Sequence, residues 1–147
     1  MGRFFKDTDY AFQVKSEILR LLDGSTPELA SSIKLLRAEQ AAISQMKNRL
    51  AGRFNTDLIF SDSLIEPDTR ESYIIMIGID ITLYHLYSQT GSKDVPEHRS
   101  SRYQDAIDWL KDVGNGNSFA NLPSALTDTY QGEIRLWSDS KPENHNW

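Results

Sequence analysis

Hydrophobic positions are densest in one stretch, residues 73–87, which reads YIIMIGIDITLYHLY. Its polar side chains are Asp80, Thr82 and His85, and at 3.6 residues per turn these three do not share a face. A helix without a polar face predicts burial on nearly all sides, whereas a strand would stop after about 4–8 residues. A membrane span needs roughly 20 apolar residues. The stretch therefore predicts a buried central helix over residues 69–88.

A longer amphipathic helix is predicted before the central one, over residues 27–51. Its start signal combines a capping Ser-Thr pair, a proline at the first helical position and a glutamate in the first turn. At 1.5 Å per residue this helix would be about 35 Å long, enough to pack along the whole central helix. Its expected apolar stripe consists of Leu29, Ile33, Leu36, Ile43, Met46 and Leu50.

Two shorter helices complete the predicted bundle. Residues 7–22 carry leucine and isoleucine at helical spacing after Asp7, the expected N-cap, and Gly24 follows as a stop signal. They predict one short helix over the core, either continuous or broken near Gln13. A last helix is predicted over residues 97–113, and the glycine-rich residues 114–117 terminate it. The apolar face of this last helix consists of Tyr103, Ala106, Ile107, Leu110 and Val113.

The connection between the long helix and the central helix, residues 53–67, is rich in acidic residues. Acidic loops can bind calcium, but this spacing lacks the glycine and the terminal glutamate of an EF-hand loop. A solvated loop is therefore the favoured interpretation. Directly after it, Asp68 and Glu71 have the spacing of a capping box for the central helix.

The final thirty residues, 118–147, are rich in Ser, Asp and Asn and contain two prolines. Such a composition cannot build a core, so it predicts an extended C-terminal arm behind a helical domain of residues 1–117. The apolar side chains of the arm either pack on their own bundle or anchor in a neighbouring molecule, since tryptophan is enriched at interfaces. The candidate interface residues are Ile134, Leu136, Trp137 and Trp147.

Together these elements predict an all-α fold, a small bundle of about four helices around the buried central helix, with the arm attached. The net charge of −5 disfavours a protein that grips phosphates, although it permits one that surrounds DNA without holding it. The absence of cysteine excludes disulfides and thiolate metal sites. Because the N-terminus is charged and lacks the apolar core of a signal peptide, we expect a cytoplasmic protein with no membrane contact.

The sequence offers little catalytic chemistry, and we expect no enzyme activity, cofactor or metal. The three histidines lie on three different elements, and no phosphate-binding loop or nucleophile elbow is present. Asp80 and His85 would lie about 140° apart around a helix, so a hydrolase using both is the least favoured class. A buried Asp80 would need a cation. Arg53 and Arg102, at the ends of flanking helices, are the candidate partners of this structural pair.

Three groups of residues, in this order, resemble the small neck proteins of Mu-like phages and prophages. The groups are Leu50-Ala51-Gly52-Arg53-Phe54; then Asp80-Ile81 with Tyr84 and Leu86; and Arg102-Tyr103, Ala106, Leu110, Gly114 and Gly116. Order and spacing agree over roughly residues 8–123. The departures are a longer acidic loop over residues 57–68 and the polar arm.

The resemblance implies the fold of the all-helical head–tail connectors of tailed phages, also called adaptor or head-completion proteins. It further implies a homo-oligomeric ring, usually of twelve copies, beneath the portal protein. Such a ring would extend the DNA channel without sequence-specific binding and would present a surface to tail or stopper proteins. The protein would assemble in the host cytoplasm and reside in the neck of the virion. The alternative is a cytoplasmic helical adaptor or inhibitor whose acidic surface covers a basic partner.

Overall fold

The computed structural model describes residues 3–22, 32–61, 66–89 and 95–125. Within these residues the regular elements are helical, which confirms the predicted all-α bundle. A short 3-10 helix, Asp7–Asp9, precedes the α-helices. The α-helices are α1 (Phe12–Leu21), α2 (Ile33–Leu50), α3 (Thr56–Ile59), α4 (Ser72–Gln89) and α5 (Glu97–Asn115).

Helix α4 is the centre of the bundle, as its sequence predicts. It packs against α1, α2 and α5, and ten of its eighteen residues are buried. Glu71 rather than Asp68 caps its first turn, because the Glu71 carboxylate accepts a hydrogen bond from the Ile74 amide at 3.0 Å. Asp68 instead accepts hydrogen bonds from Arg70.

Helix α2 begins later than predicted, at Ile33. The Ser32 hydroxyl accepts a hydrogen bond from the Leu35 amide at 3.2 Å, and the Ser32 backbone is extended, so this residue is the N-cap. The predicted start at residue 27 lies outside the described residues. The predicted stripe is wrong at Ile33, which is 67% exposed, since the buried face includes Leu35 instead. The buried residues of α2 are Leu35, Ala38, Glu39, Ala42, Met46 and Leu50.

The N-terminal segment before α1 is part of the core, which the sequence did not indicate. Phe4, Phe5 and Tyr10 are buried, and Phe5 packs close to Gly78 of α4. The predicted helix over residues 7–22 is broken, and the break lies before Gln13, since Tyr10 is extended and α1 has Ala11 as its N-cap. Asp7 therefore does not cap α1.

Helices α2 and α5 approach each other closely where both end. A Cβ atom on Gly114 would overlap with the backbone carbonyl oxygen of Arg49, so this crossing requires glycine. Helix α5 ends at Gly116, whose φ of 85° lies in the left-handed region that glycine adopts without strain. The predicted apolar face of α5 is buried at Ala106, Ile107, Leu110 and Val113, while Tyr103 is half-buried.

After α5 the described chain runs back along the bundle. The Asn55 amide donates to the Pro123 carbonyl at 2.8 Å, and the Ala125 amide donates to the Arg53 carbonyl at 3.1 Å. Residues 126–147 lie outside the described residues, and with them all four candidate interface residues, Ile134, Leu136, Trp137 and Trp147. The domain division at residue 117 stays a prediction. Among the described helices, none is long and apolar enough to cross a membrane.

Candidate functional site

A groove of about 930 Å³ lies between α1, α4 and the first half of α5. Its apolar lining comes mainly from Ile75, Met76 and Ile79 on α4 together with Val14 on α1. Met76 is 43% exposed although α4 is otherwise the core helix of the bundle. The groove is therefore one place where the central helix reaches the surface.

Asp80 lies at one wall of this groove and is nearly buried, with 6% of its surface exposed. Its Oδ1 accepts a hydrogen bond from Nε of Arg102 at 2.8 Å. Nη1 of Arg99 lies 3.8 Å from the same oxygen. Burial of the carboxylate is thus compensated by two guanidinium groups from α5. The sequence predicted Arg102 as a partner but not Arg99.

Arg53, the other candidate partner of Asp80, lies elsewhere in the fold. Its Nη1 donates to the Val113 carbonyl at 2.6 Å, and its guanidinium lies over the Phe54 ring at 5.3 Å from the centroid. The Val113 carbonyl also accepts a hydrogen bond from the Gly116 amide at 3.2 Å, and it lies at the negative end of the α5 helix dipole. Arg53 therefore binds the end of α5 and not the Asp80 carboxylate.

The charge network continues from α5 to α1 through Glu17. Arg99 donates to Glu17 through Nη2 at 2.6 Å and through Nε at 3.2 Å, and the Tyr87 hydroxyl donates to Glu17 as well. Burial would raise the pKa of Glu17, but these hydrogen bonds and the charge of Arg99 outweigh it and lower the pKa below its usual value. Glu17 therefore stays ionised and ties α1 to the rest of the bundle.

His85 belongs to a separate polar cluster on another side of α4. Its Nε2 lies 2.9 Å from Oε1 of Gln45, and Nε2 of Gln45 donates to the Tyr103 hydroxyl at 3.0 Å. Tyr103 in turn stacks on Tyr84, with ring centroids 3.9 Å apart. Asp80 and His85 thus bind different partners in different clusters. Among the described residues, no group of three or more His, Cys, Asp or Glu side chains could hold a metal ion.

Replacement of Asp80 by Asn should lower the free energy of unfolding by about 1–2 kcal/mol, because Arg102 and Arg99 lose a charged acceptor. Thermal unfolding followed by circular dichroism measures this change. The matched control is Asp108→Asn, which removes an exposed carboxylate from the same helix pair. Equal melting temperatures for the Asp80→Asn variant and the unmodified protein would mean that the pair adds nothing to stability.

His85 should make the fold sensitive to mild acid. Burial lowers the pKa of His85, so the folded state favours the neutral imidazole. Its contribution to stability is fully present above the unfolded pKa of about 6.5 and is lost as the pH falls through the lower folded pKa. Denaturant unfolding at pH 7.5 and pH 5.5 should show a smaller loss of stability for His85→Gln than for the unmodified protein. An equal loss in the His85→Gln variant and the unmodified protein would contradict the assignment.

The protein is a small all-α bundle. Most of the described charged side chains that line its groove are paired with one another. The sequence assigns it more narrowly: residues 13–136 match the family Bacteriophage Mu, Gp36, and the chain belongs to that family. This membership confirms the resemblance to proteins of Mu-like phages and makes the chain a bacteriophage protein. Neither the search of curated proteins nor the search of solved structures gave a match.

Proposed function

We propose that the protein is a structural, non-enzymatic subunit of the virion neck, a head–tail connector that forms a ring beneath the portal. The observation that carries this proposal is membership of the Mu Gp36 family over residues 13–136, a span that includes the whole described α-helical bundle except its N-terminal segment. A ring of twelve copies would extend the DNA channel from the portal towards the tail or stopper proteins.

The electrostatics of the chain support a conduit for DNA. Non-specific binding to DNA depends on lysine and arginine side chains that neutralise phosphates, whereas this chain carries a net charge of −5. The two arginines that face the groove from α5 are already bonded to carboxylates. A channel through which DNA must slide benefits from walls that do not hold the phosphates.

Exposed apolar side chains on the bundle support contact with other proteins. Phe12 is 88% exposed, Leu58 is 61% exposed and Phe119 is fully exposed. Phenylalanine is enriched in the cores of interfaces, where its burial in a neighbouring pocket is favourable. In a ring attached to a portal, each copy would have two ring neighbours and further contacts above and below.

A binding assay with isolated heads tests the proposal. DNA-filled heads that carry the portal but lack neck and tail are mixed with purified protein and then sedimented. We expect the full chain to sediment with the heads, and a variant that lacks residues 138–147 to fold normally but to remain in solution. A full chain that does not sediment with the heads would contradict the connector function. A truncated chain that binds equally well would remove the C-terminal arm from the contact.

A second candidate function is favoured by the acidic outer surface of α5, which carries Glu97, Asp105, Asp108 and Asp112. An adaptor or inhibitor that covers a basic protein would use such a surface. It would form a one-to-one complex that salt weakens steeply, and it would not form a ring. Sedimentation velocity of complexes isolated at low and high salt distinguishes the two functions.

A further inference from the structure

The exposed surface of α2 is basic, although the protein as a whole is acidic. Lys34 and Arg37 are exposed and Lys47 is half-buried, and between them this surface carries uncharged polar residues. The acidic residue of α2, Glu39, points the other way. It is buried at 3% exposure and bonded to Arg3, so it does not neutralise the surface. We call Lys34, Arg37 and Lys47 the basic face of α2.

The exposed surface of α5 has the opposite charge. At 100° per residue, Glu97, Asp105, Asp108 and Asp112 fall within an arc of about 80°, and all four are exposed. Lys111 lies at the edge of this arc, and Arg102 on the other side is bonded to Asp80. We call Glu97, Asp105, Asp108 and Asp112 the acidic face of α5.

The two faces match in length and are not neutralised within the described part of one molecule. At 1.5 Å per residue, the basic face runs for about 20 Å and the acidic face for about 23 Å. Within the described ranges no residue of either face forms an ion pair within 4.0 Å. The Lys47 ammonium lies 6.0 Å from the Phe60 ring centroid, and Asp108 accepts a hydrogen bond from Gln104 at 2.9 Å. Each face therefore leaves its charge available to another molecule.

We propose that the basic face of α2 in one copy docks on the acidic face of α5 in the next copy. The proposal rests on the ring of the proposed function and names the surfaces that join neighbouring subunits. Two different faces of the same chain make a heterologous, head-to-tail contact, which is the kind that closes into a ring. A second copy fits better than DNA, because the same molecule carries an opposite face of equal length, and complementary charge fixes the register of such contacts.

Charge reversal tests the contact in the head-binding assay. One variant carries Lys34→Glu and Arg37→Glu, and the other carries Asp108→Lys and Asp112→Lys. The new charges suit the helix dipoles, since an acid enters the first turn of α2 and a base enters the last turn of α5, so both variants should fold. Equal melting curves verify this. Asp57→Lys, at an exposed position of α3, is the control for a change of charge alone.

Each variant alone should bind to heads at least tenfold less than the unmodified protein, because one face of every contact now repels its neighbour. An equimolar mixture of the two should restore binding, since alternating copies pair opposite charges at every contact. Normal binding by each single variant would overturn the contact while the connector function stands. If only the α2 variant lost binding to heads and the mixture did not restore it, the contact between copies would be overturned too. That result would indicate that the basic face of α2 binds a polyanion such as DNA.

Zero-length cross-linking tests the same contact in solution and does not depend on heads. A carbodiimide joins a lysine amine to a carboxylate as an amide, and it takes up the water removed in this condensation and becomes the urea. In a concentrated mixture of ¹⁵N-labelled and unlabelled protein, mass spectrometry distinguishes links between chains from links within one chain. We expect links between chains from Lys34 or Lys47 to Asp105, Asp108 or Asp112. If the links between chains lie at other positions, or if no such links form, the contact is overturned. This outcome is independent of what the head-binding assay shows for the neck function.

Discussion

Replacement of Gly114 by Ala should destabilise the protein by about 2–3 kcal/mol. The added Cβ would overlap with the Arg49 carbonyl oxygen, which belongs to the backbone of α2 and cannot rotate away as a side chain would. Helices α2 and α5 would have to separate where both end. This cost exceeds the gain of up to about 1 kcal/mol that alanine normally brings to a helix interior.

Chemical denaturation measures the effect of Gly114→Ala directly, with a matched control at Gly52. A Cβ atom on Gly52 meets nothing within 4 Å, so Gly52→Ala should change the free energy of unfolding by less than about 0.5 kcal/mol. A Gly114→Ala variant as stable as the Gly52→Ala variant would contradict the close crossing of α2 and α5.

Replacement of Arg70 by Ala should destabilise the protein by about 3 kcal/mol, because it removes a buried guanidinium and leaves the partly buried Asp9 carboxylate without its cation. The Arg70 side chain is only 3% exposed. Its guanidinium donates to both oxygens of Asp9, to both oxygens of Asp68 and to the Phe4 carbonyl at 2.7 Å. Loss of these hydrogen bonds should release the N-terminal segment, which places Phe4 and Phe5 in the core.

Two measurements check the role of Arg70. Thermal unfolding gives the loss of stability, with Arg37→Ala as a control that removes an exposed arginine from α2. Limited proteolysis should cut the N-terminal segment of the Arg70→Ala variant faster than that of the Arg37→Ala variant. Equal stability and equal cleavage in both variants would show that the Arg70 cluster does not hold the segment.

The central helix could be predicted from the sequence because burial on all sides leaves a direct trace, a long apolar run with no polar face. The last helix could be predicted equally well, since Gly116 marks its end. The buried face of α2 was harder to predict. Leucine and isoleucine occur on more than one side of this helix, and packing against the neighbouring helices buries Leu35 and leaves Ile33 exposed.

The charged partners were harder to predict than the helices. Arg102 on α5 pairs with Asp80, and the regular spacing of a helix limits which of its residues can be the partner. Arg53 follows the end of α2, and the carbonyl groups at the end of α5 compete for it. Glu39 and Arg3 are 36 residues apart, so no local pattern links them. A charged residue near an apolar stripe, as at Glu39, is the signal that could have indicated a buried ion pair.

Electron microscopy of a lysate in which this gene alone is disrupted tests the central claim most directly. The connector function predicts full or leaking heads without tails beside finished free tails, and normal particles once the intact gene is supplied in trans. Normal tailed particles from the disrupted gene would contradict an essential place in the neck.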